Sequence, residues 1–236
     1  MIQTEGIFVG GSAISAPIIG EDFNWTGGDG TYQVLDDGGG NWRIKFLSSG
    51  TFTPLKNMVI DVFVVGGGGG SGGNYCGAGG AGYTTTLRSV VLAANSAYSI
   101  VVGAAGKNSY SSAGISSGGT SSAFSAVAAG GKHSVNGDKT WKKPGGDGGS
   151  GGGGYIAADG GIDGGNGMSG ETAGGKGQGT TTREFGEADG TLYASGGGSN
   201  LSATVANSGN GGRNGTTSIA PADGIVVIRQ HKEVAA

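Results

Sequence analysis

Few residues of this chain could do chemistry, and they are scattered. Cys76 is the single cysteine, and His133 and His231 are the only histidines in 236 residues. One thiol and two distant imidazoles lack the spacing of a zinc site. Cys76, in Tyr75-Cys76-Gly77, has no basic neighbour to lower its pKa, so it reads as a small packing residue rather than a nucleophile. His133 reads as part of a Gly-Gly-Lys-His-Ser turn and His231 as part of a tail. Matches to G-x-G-x-x-G are expected by chance in so glycine-rich a chain. Gly106-Lys107-Asn108 and Gly131-Lys132-His133 both lack the Ser/Thr of a phosphate loop. Gly160–Met168 carries one aspartate, Asp163, but not at the position of the calcium-binding nonapeptide. Asp147, Asp159 and Asp163 do not make a recognisable carboxylate pair. The expectation is a protein without catalysis, metal or cofactor.

Recognition chemistry is better represented. Aromatic, basic and amide side chains recur in short segments between glycine tracts: Tyr75, Tyr110, Lys139, Trp141, Lys142, Lys143, Tyr155, Arg183, Phe185 and Tyr193. Such residues on loops held by a rigid scaffold suit a binding surface. Trp141 with its three lysines is the densest group. For any single aromatic the competing reading is packing over the ends of the glycine tracts.

The elements that position these residues follow from composition. Fifty-eight glycines exclude helical bundles and doubly wound α/β folds, because each glycine inside a helix costs about 1 kcal/mol relative to alanine. Four prolines and no strict Gly-X-Y frame exclude collagen. Hydrophobic residues at 35% with charged residues at 13% argue against disorder. A formal net charge of -3 suggests neither nucleic acid nor an anionic membrane as partner. No apolar run is long enough for membrane insertion. Met1–Glu5 has no basic leader, and the single cysteine forbids an internal disulfide, so the expected origin is a cytosol.

Strands are expected where period 2 or unbroken apolar runs appear: Trp42-Arg43-Ile44-Lys45-Phe46, Phe52, Met58–Val65, Gly82–Arg88, Tyr98–Val102, Ser122–Val127 and Gly224–Arg229. The run Met58–Val65 suits a strand buried on both faces. Between early and late strands the chain turns to glycine, in triplet register at 66–74 and 145–153. Three residues per turn is the repeat of a polyproline II-type helix, whose backbone groups point outward and need neighbours. The predicted fold is all-β: an antiparallel β-sandwich with an inserted bundle of polyglycine II helices. The predicted division is an N-terminal arm or attachment segment at 1–41, the glycine-rich domain at 42–229 and a tail at 230–236. Ile14–Gly20 could be an extended docking arm or a first strand.

Ile60–Gly70, Ala78–Tyr83, Tyr98–Gly103, Gly145–Gly149 and Asp223–Arg229 together resemble the glycine-rich domain of phage and prophage tail proteins. The organisation is similar to the distal adhesins of T-even-type tail fibres. A likeness to the glycine-rich domain of receptor tyrosine kinase ectodomains is one of fold, since the paired cysteines are missing. The resemblance implies a virion protein, made in the bacterial host cytoplasm and mounted on the tail. Its loops would bind a host cell-surface glycan or outer protein, and its other partners would be virion tail proteins. A homo-oligomer is expected, with a trimer among the options, although no heptads enforce one. The alternative is a purely structural head or tail decoration protein. An ice-binding face and a depolymerase are the weaker readings.

Overall fold

The computed structural model describes residues 22–73, 77–109, 114–134, 144–153, 181–198, 204–213 and 218–231. Among the described residues, ten strands form two antiparallel five-stranded sheets. The strands are β1 (Phe23–Trp25), β2 (Tyr32–Gly38), β3 (Asn41–Phe46), β4 (Gly50–Pro54), β5 (Met58–Val65), β6 (Thr84–Leu92), β7 (Tyr98–Val101), β8 (Ser121–Ala123), β9 (Ala126–Ala128) and β10 (Ile225–Gln230). One sheet has the order β1-β4-β7-β8-β9, the other β2-β3-β10-β5-β6. The last strand therefore lies between two early ones, Val226 opposite Phe46 on β3 and Val64 on β5. Between β5 and β10 the chain alternates between strands β6 to β9 of the sandwich and glycine-rich segments that leave it.

The facing sides of the two sheets share one core. Phe23, Phe52 and Ile100 of the first sheet meet Ile44, Phe46, Ile60, Val62, Val64 and Ile228 of the second. Aromatic rings stack through it, Phe23 to Phe52 at 5.1 Å and Phe46 to Trp25 at 4.7 Å between centroids. The second sheet is buried on its other face as well, where Phe63, Val65, Ile225 and Val227 lie under Phe185, Tyr193 and Ala194. That explains the unbroken apolar run of β5.

Three sequence expectations change. Strands β1 and β2 precede residue 42 and pair with β4 and β3, so the sandwich already includes residues from Phe23, while 1–21 of the expected N-terminal segment lie outside the described residues. Ser122–Val127 is not one strand but the hairpin β8–β9, turning at Phe124 and Ser125, both with positive φ (48° and 70°). His231 is not tail: its N–H donates to the Val59 carbonyl at 3.0 Å, extending the β10–β5 ladder.

The glycine tracts leave the strands and pack on one another. Along 66–70 the N–H groups of Gly66 and Gly69 donate to Tyr83 and Gly80, those of Gly67 and Gly70 to Gly119 and Ser116, and that of Gly68 to Ala222. The carbonyls of Gly67 and Gly70 accept from Gly131 and Ser134, that of Gly68 from Gly106, and that of Gly69 from Gly212. Residues three apart thus address the same neighbour, and one tract touches six others. Tract 77–83 repeats the scheme: Ala78 and Ala81 donate to Gly153 and Ser150, Gly79 and Gly82 to Gly212 and Gly209, Gly80 and Tyr83 to Lys132 and Ala129. Gly66 to Gly70 are all buried, so these bonds satisfy backbone groups that water cannot reach. His133 lies within a tract rather than in a turn, since Lys132 and Ser134 on either side donate to Asp147 and Gly70.

Only glycine permits this spacing. A Cβ on Gly66, Gly67, Gly68, Gly69 or Gly70 would fall inside the contact distance of a carbonyl oxygen on an adjacent tract: that of Ala129, Ala104, Asn210, Lys132 or Lys107 respectively. The clash is with backbone, which has no rotamer to change.

Candidate functional site

The tracts have an inner and an outer end. Gly66, Tyr83, Gly103, Ala129 and Gly224 adjoin strands β5, β6, β7, β9 and β10; each tract then runs away from the sandwich. At the outer end a few short polar side chains tie neighbouring tracts together. Asn108 does most of this. Its Oδ1 accepts from the Ser71 N–H at 2.8 Å, while its Nδ2 donates to the carbonyls of Arg213 at 2.9 Å and Ile219 at 2.8 Å. Ser134 Oγ accepts from the Gly72 N–H at 2.9 Å. Ser71 Oγ donates to the Gly77 carbonyl at 3.1 Å. Six tracts are therefore tied together, at residues near the ends of the described segments. An amide suits the task because it donates and accepts at once.

These pinning residues are not expected from sequence as positioning groups; Asn108 lies two residues before the candidate Tyr110. The available signal was an amide or hydroxyl at the last lattice position of a glycine tract.

Of the recognition candidates, Tyr75, Tyr110, Lys139, Trp141, Lys142, Lys143 and Tyr155 lie outside the described residues. The remaining three come together, but at the other end of the molecule, in a strap formed by residues 181–194 across the outer face of the second sheet. Phe185, within a short 3-10 turn at Glu184–Gly186, is 1% exposed and sits 6.1 Å from Phe63 between ring centroids. Tyr193 is 5% exposed and 5.5 Å from the same ring. Arg183 donates from Nη1 to the Gly190 carbonyl at 3.0 Å and closes the strap on itself. Phe185 and Tyr193 are thus core residues rather than surface anchors. A sheet apolar on both faces requires a cover, and the strap supplies it.

Charge fixes the strap in place. Glu184, 2% exposed, receives Arg43 at 2.5 Å and Lys45 at 3.4 Å. The Tyr193 hydroxyl donates to Glu184 at 3.2 Å and accepts from Lys45 at 3.1 Å. Burial, and then the adjacent Glu184 charge, push the Tyr193 phenol above its ordinary pKa. Arg43 is held above its usual value, chiefly by its hydrogen bonds to Asp37 and then to Glu184. Arg229 lies over the Phe185 ring, 4.2 Å from its centroid, and pairs with Glu187 at 2.7 Å. A buried carboxylate with two cations and a phenol is a bolt between sheet and strap, and it keeps the strap closed over Phe63.

Among the described residues no group of three histidine, cysteine or acidic side chains is placed to hold a metal ion. Nor, among the described residues, is any helix long and apolar enough to cross a membrane.

Comparison with known proteins agrees with the architecture. No curated protein matches the chain. The family described as a glycine-rich domain matches residues 47–229, from the residue after β3 to the penultimate residue of β10. The match takes in strands β4 to β9, most of β10 and the glycine tracts between them, and the chain belongs to the glycine-rich domain family.

Proposed function

We propose that the protein attaches a virion to a host cell surface, as a tail-tip or tail-fibre adhesin without catalytic demand on its loops. In this reading the tracts are polyglycine II-type rods. They form a stiff stalk whose outer end presents variable sequence, while the sandwich provides the base. The observation that carries the reading is the pinning of the outer tract ends by Ser71, Asn108 and Ser134. The residues that join these ends along the chain include Tyr75, Tyr110, Trp141 with Lys139, Lys142 and Lys143, and Tyr155. A lattice without side chains has no recognition chemistry of its own, so specificity falls to those connections. Individually weak contacts to a surface glycan or outer protein become firm when several copies on one particle engage at once.

The test is binding of the fluorescently labelled protein to a panel of bacterial cells. A Trp141→Ala/Tyr155→Ala variant that melts at the wild-type temperature serves as control. Strain-selective binding that the control loses is the expected result. Binding to no strain, with capture by tail or head subunits instead, would replace the adhesin by a structural decoration protein.

A further inference from the structure

A second site lies at the opposite end of the molecule from the outer tract ends, and it stands or falls independently of the attachment reading. Strands β5 and β6 shift register between Ile60 and Val62: Ile60 faces Val90 and Val62 faces Leu87, so that Arg88 and Ser89 together oppose Asp61. In this bulge Ser89 takes a φ of 57°, a left-handed conformation that is uncommon outside glycine and gathers at functional positions. Its N–H donates to Asp61 Oδ1 at 3.2 Å. The same oxygen accepts from His231 Nδ1 at 2.7 Å. The other imidazole nitrogen, Nε2, lies 3.1 Å from Ser89 Oγ.

A carboxylate on Nδ1 fixes the tautomer: Nδ1 carries the proton and Nε2 presents a lone pair to the hydroxyl. The order hydroxyl, imidazole, buried carboxylate, at hydrogen-bond distance throughout, is the arrangement of an activated serine nucleophile. We propose that Ser89, His231 and Asp61 form an acyl-transfer site for small carboxylic esters, with Ser89 as nucleophile, His231 as general base and Asp61 as the residue that positions the imidazole.

The surroundings suit that role. Asp61 is fully buried. Burial alone would raise its pKa, but the hydrogen bonds from His231, the Ser89 N–H and Arg229 outweigh it and hold the carboxyl below its ordinary value, so Asp61 stays charged opposite the imidazole. Ser89 is exposed and open to a substrate. His231 also borders an open groove of about 510 Å³ with an apolar wall of Trp42, Met58, Val59 and Val91 and a polar end at Lys56 and Asn57. A short acyl ester fits such a wall. Arg88, 45% exposed, donates from Nη1 to the other Asp61 oxygen at 3.2 Å and from Nη2 to the Phe185 carbonyl at 2.6 Å, which keeps a positive charge beside the cluster.

In the reaction Ser89 Oγ bonds to the acyl carbon as its proton passes to His231 Nε2. The ester C–O bond then breaks and the same proton leaves with the departing alcohol. Water next attacks the acyl-serine, gives one proton to His231, and releases the carboxylic acid. The proton returns to Ser89 Oγ.

The experiment uses the full chain with p-nitrophenyl acetate and a fluorescent fluorophosphonate, the adduct being located by peptide mass spectrometry. The expected result is a fluorophosphonate adduct on Ser89 and release of p-nitrophenol. Both should vanish in Ser89→Gly and fall at least about 100-fold in His231→Gln. Glycine is the informative replacement because it removes the hydroxyl and accepts the positive φ, so the variant should melt no lower than the wild type. An adduct anywhere but Ser89, labelling unchanged in a folded His231→Gln protein, or hydrolysis persisting in Ser89→Gly would each overturn the assignment.

Discussion

The sandwich and the glycine lattice solve the same problem with opposite materials. Between the sheets, large side chains such as Phe46, Phe52, Ile60 and Ile228 fill the interior, and the backbone groups are satisfied along the strands. Between the tracts the interior is backbone, and peptide groups serve both as packing surface and as hydrogen-bond partners. A core of side chains fails when atoms are removed. A core of peptide groups has nothing to remove and fails when atoms are added. The two regions should therefore have inverted mutational sensitivities within one chain.

The largest effect expected is on the lattice side. Gly68→Val should abolish folding, because even its Cβ would meet the Asn210 carbonyl. The single methyl of Gly68→Ala should remove more than about 4 kcal/mol, in the range reserved for severe core damage. Gly149→Val, directed at the Gly82 carbonyl, is the matching change in another tract. Urea unfolding followed by circular dichroism would measure all three, and melting within a few degrees of wild type would mean that the tracts are not packed. Next comes the sandwich counterpart: Phe52→Ala, which empties a fully buried site, should cost about 3–5 kcal/mol. One methyl added to the lattice would then rival a whole phenyl ring deleted from the sandwich.

This inversion was partly legible in the sequence. Period 2 over Trp42–Phe46, the apolar run Met58–Val65 and the run Ile225–Arg229 announce strands directly, because each is long and consistently patterned. Glycine triplets likewise announce a three-residue repeat, and the hydrogen bonds do recur every third residue. The β8–β9 hairpin was hidden because Phe124 and Ser125 adopt positive φ without the Asn-Gly or Gly-Gly that usually marks such a turn. β1 and β2 were hidden for another reason: β1 is three residues long, and β2 lies at the edge of its sheet with half-exposed faces. For Phe185 and Tyr193 the sequence leaves packing and recognition open, since an aromatic between glycines looks the same whether it covers a sheet or a ligand; burial decides for packing. The cluster at Asp61 was invisible. Its members stand on β5, β6 and just beyond β10, and only the bulge opposite Asp61 brings Arg88 and Ser89 to the carboxylate. Nothing around Ser89 in the sequence resembles a nucleophile motif.

Smaller effects sharpen the comparison where the regions use similar means. Asn108→Ala removes three hydrogen bonds between tracts and should cost about 1–3 kcal/mol. The loss should appear as faster hydrogen exchange at Ser71 and its lattice neighbours, with the β-sheet amides unchanged. Uniform acceleration throughout would show that lattice and sandwich unfold as one unit.

Acid should act on the sandwich through Asp61. The Asp61 carboxyl has a folded pKa below its ordinary value, so its contribution is complete above the unfolded pKa of about 3.9 and is lost as pH falls through the lower folded value. Stability should drop below about pH 4, with amides of β5 and β10 exchanging first.

The smallest expected effect provides the reference for all the glycine changes. Gly30 has a φ of 73° and nothing within 4 Å of where a Cβ would stand. Gly30→Ala therefore pays only for the left-handed backbone, about 1 kcal/mol, whereas Gly68 is not left-handed and has only crowding to overcome. If thermal unfolding gave the two alanine variants equal losses, backbone conformation rather than close approach would govern glycine here, and the contrast between the two cores would collapse. A several-fold larger loss at Gly68 would assign the tracts' glycine content to packing, one peptide against the next.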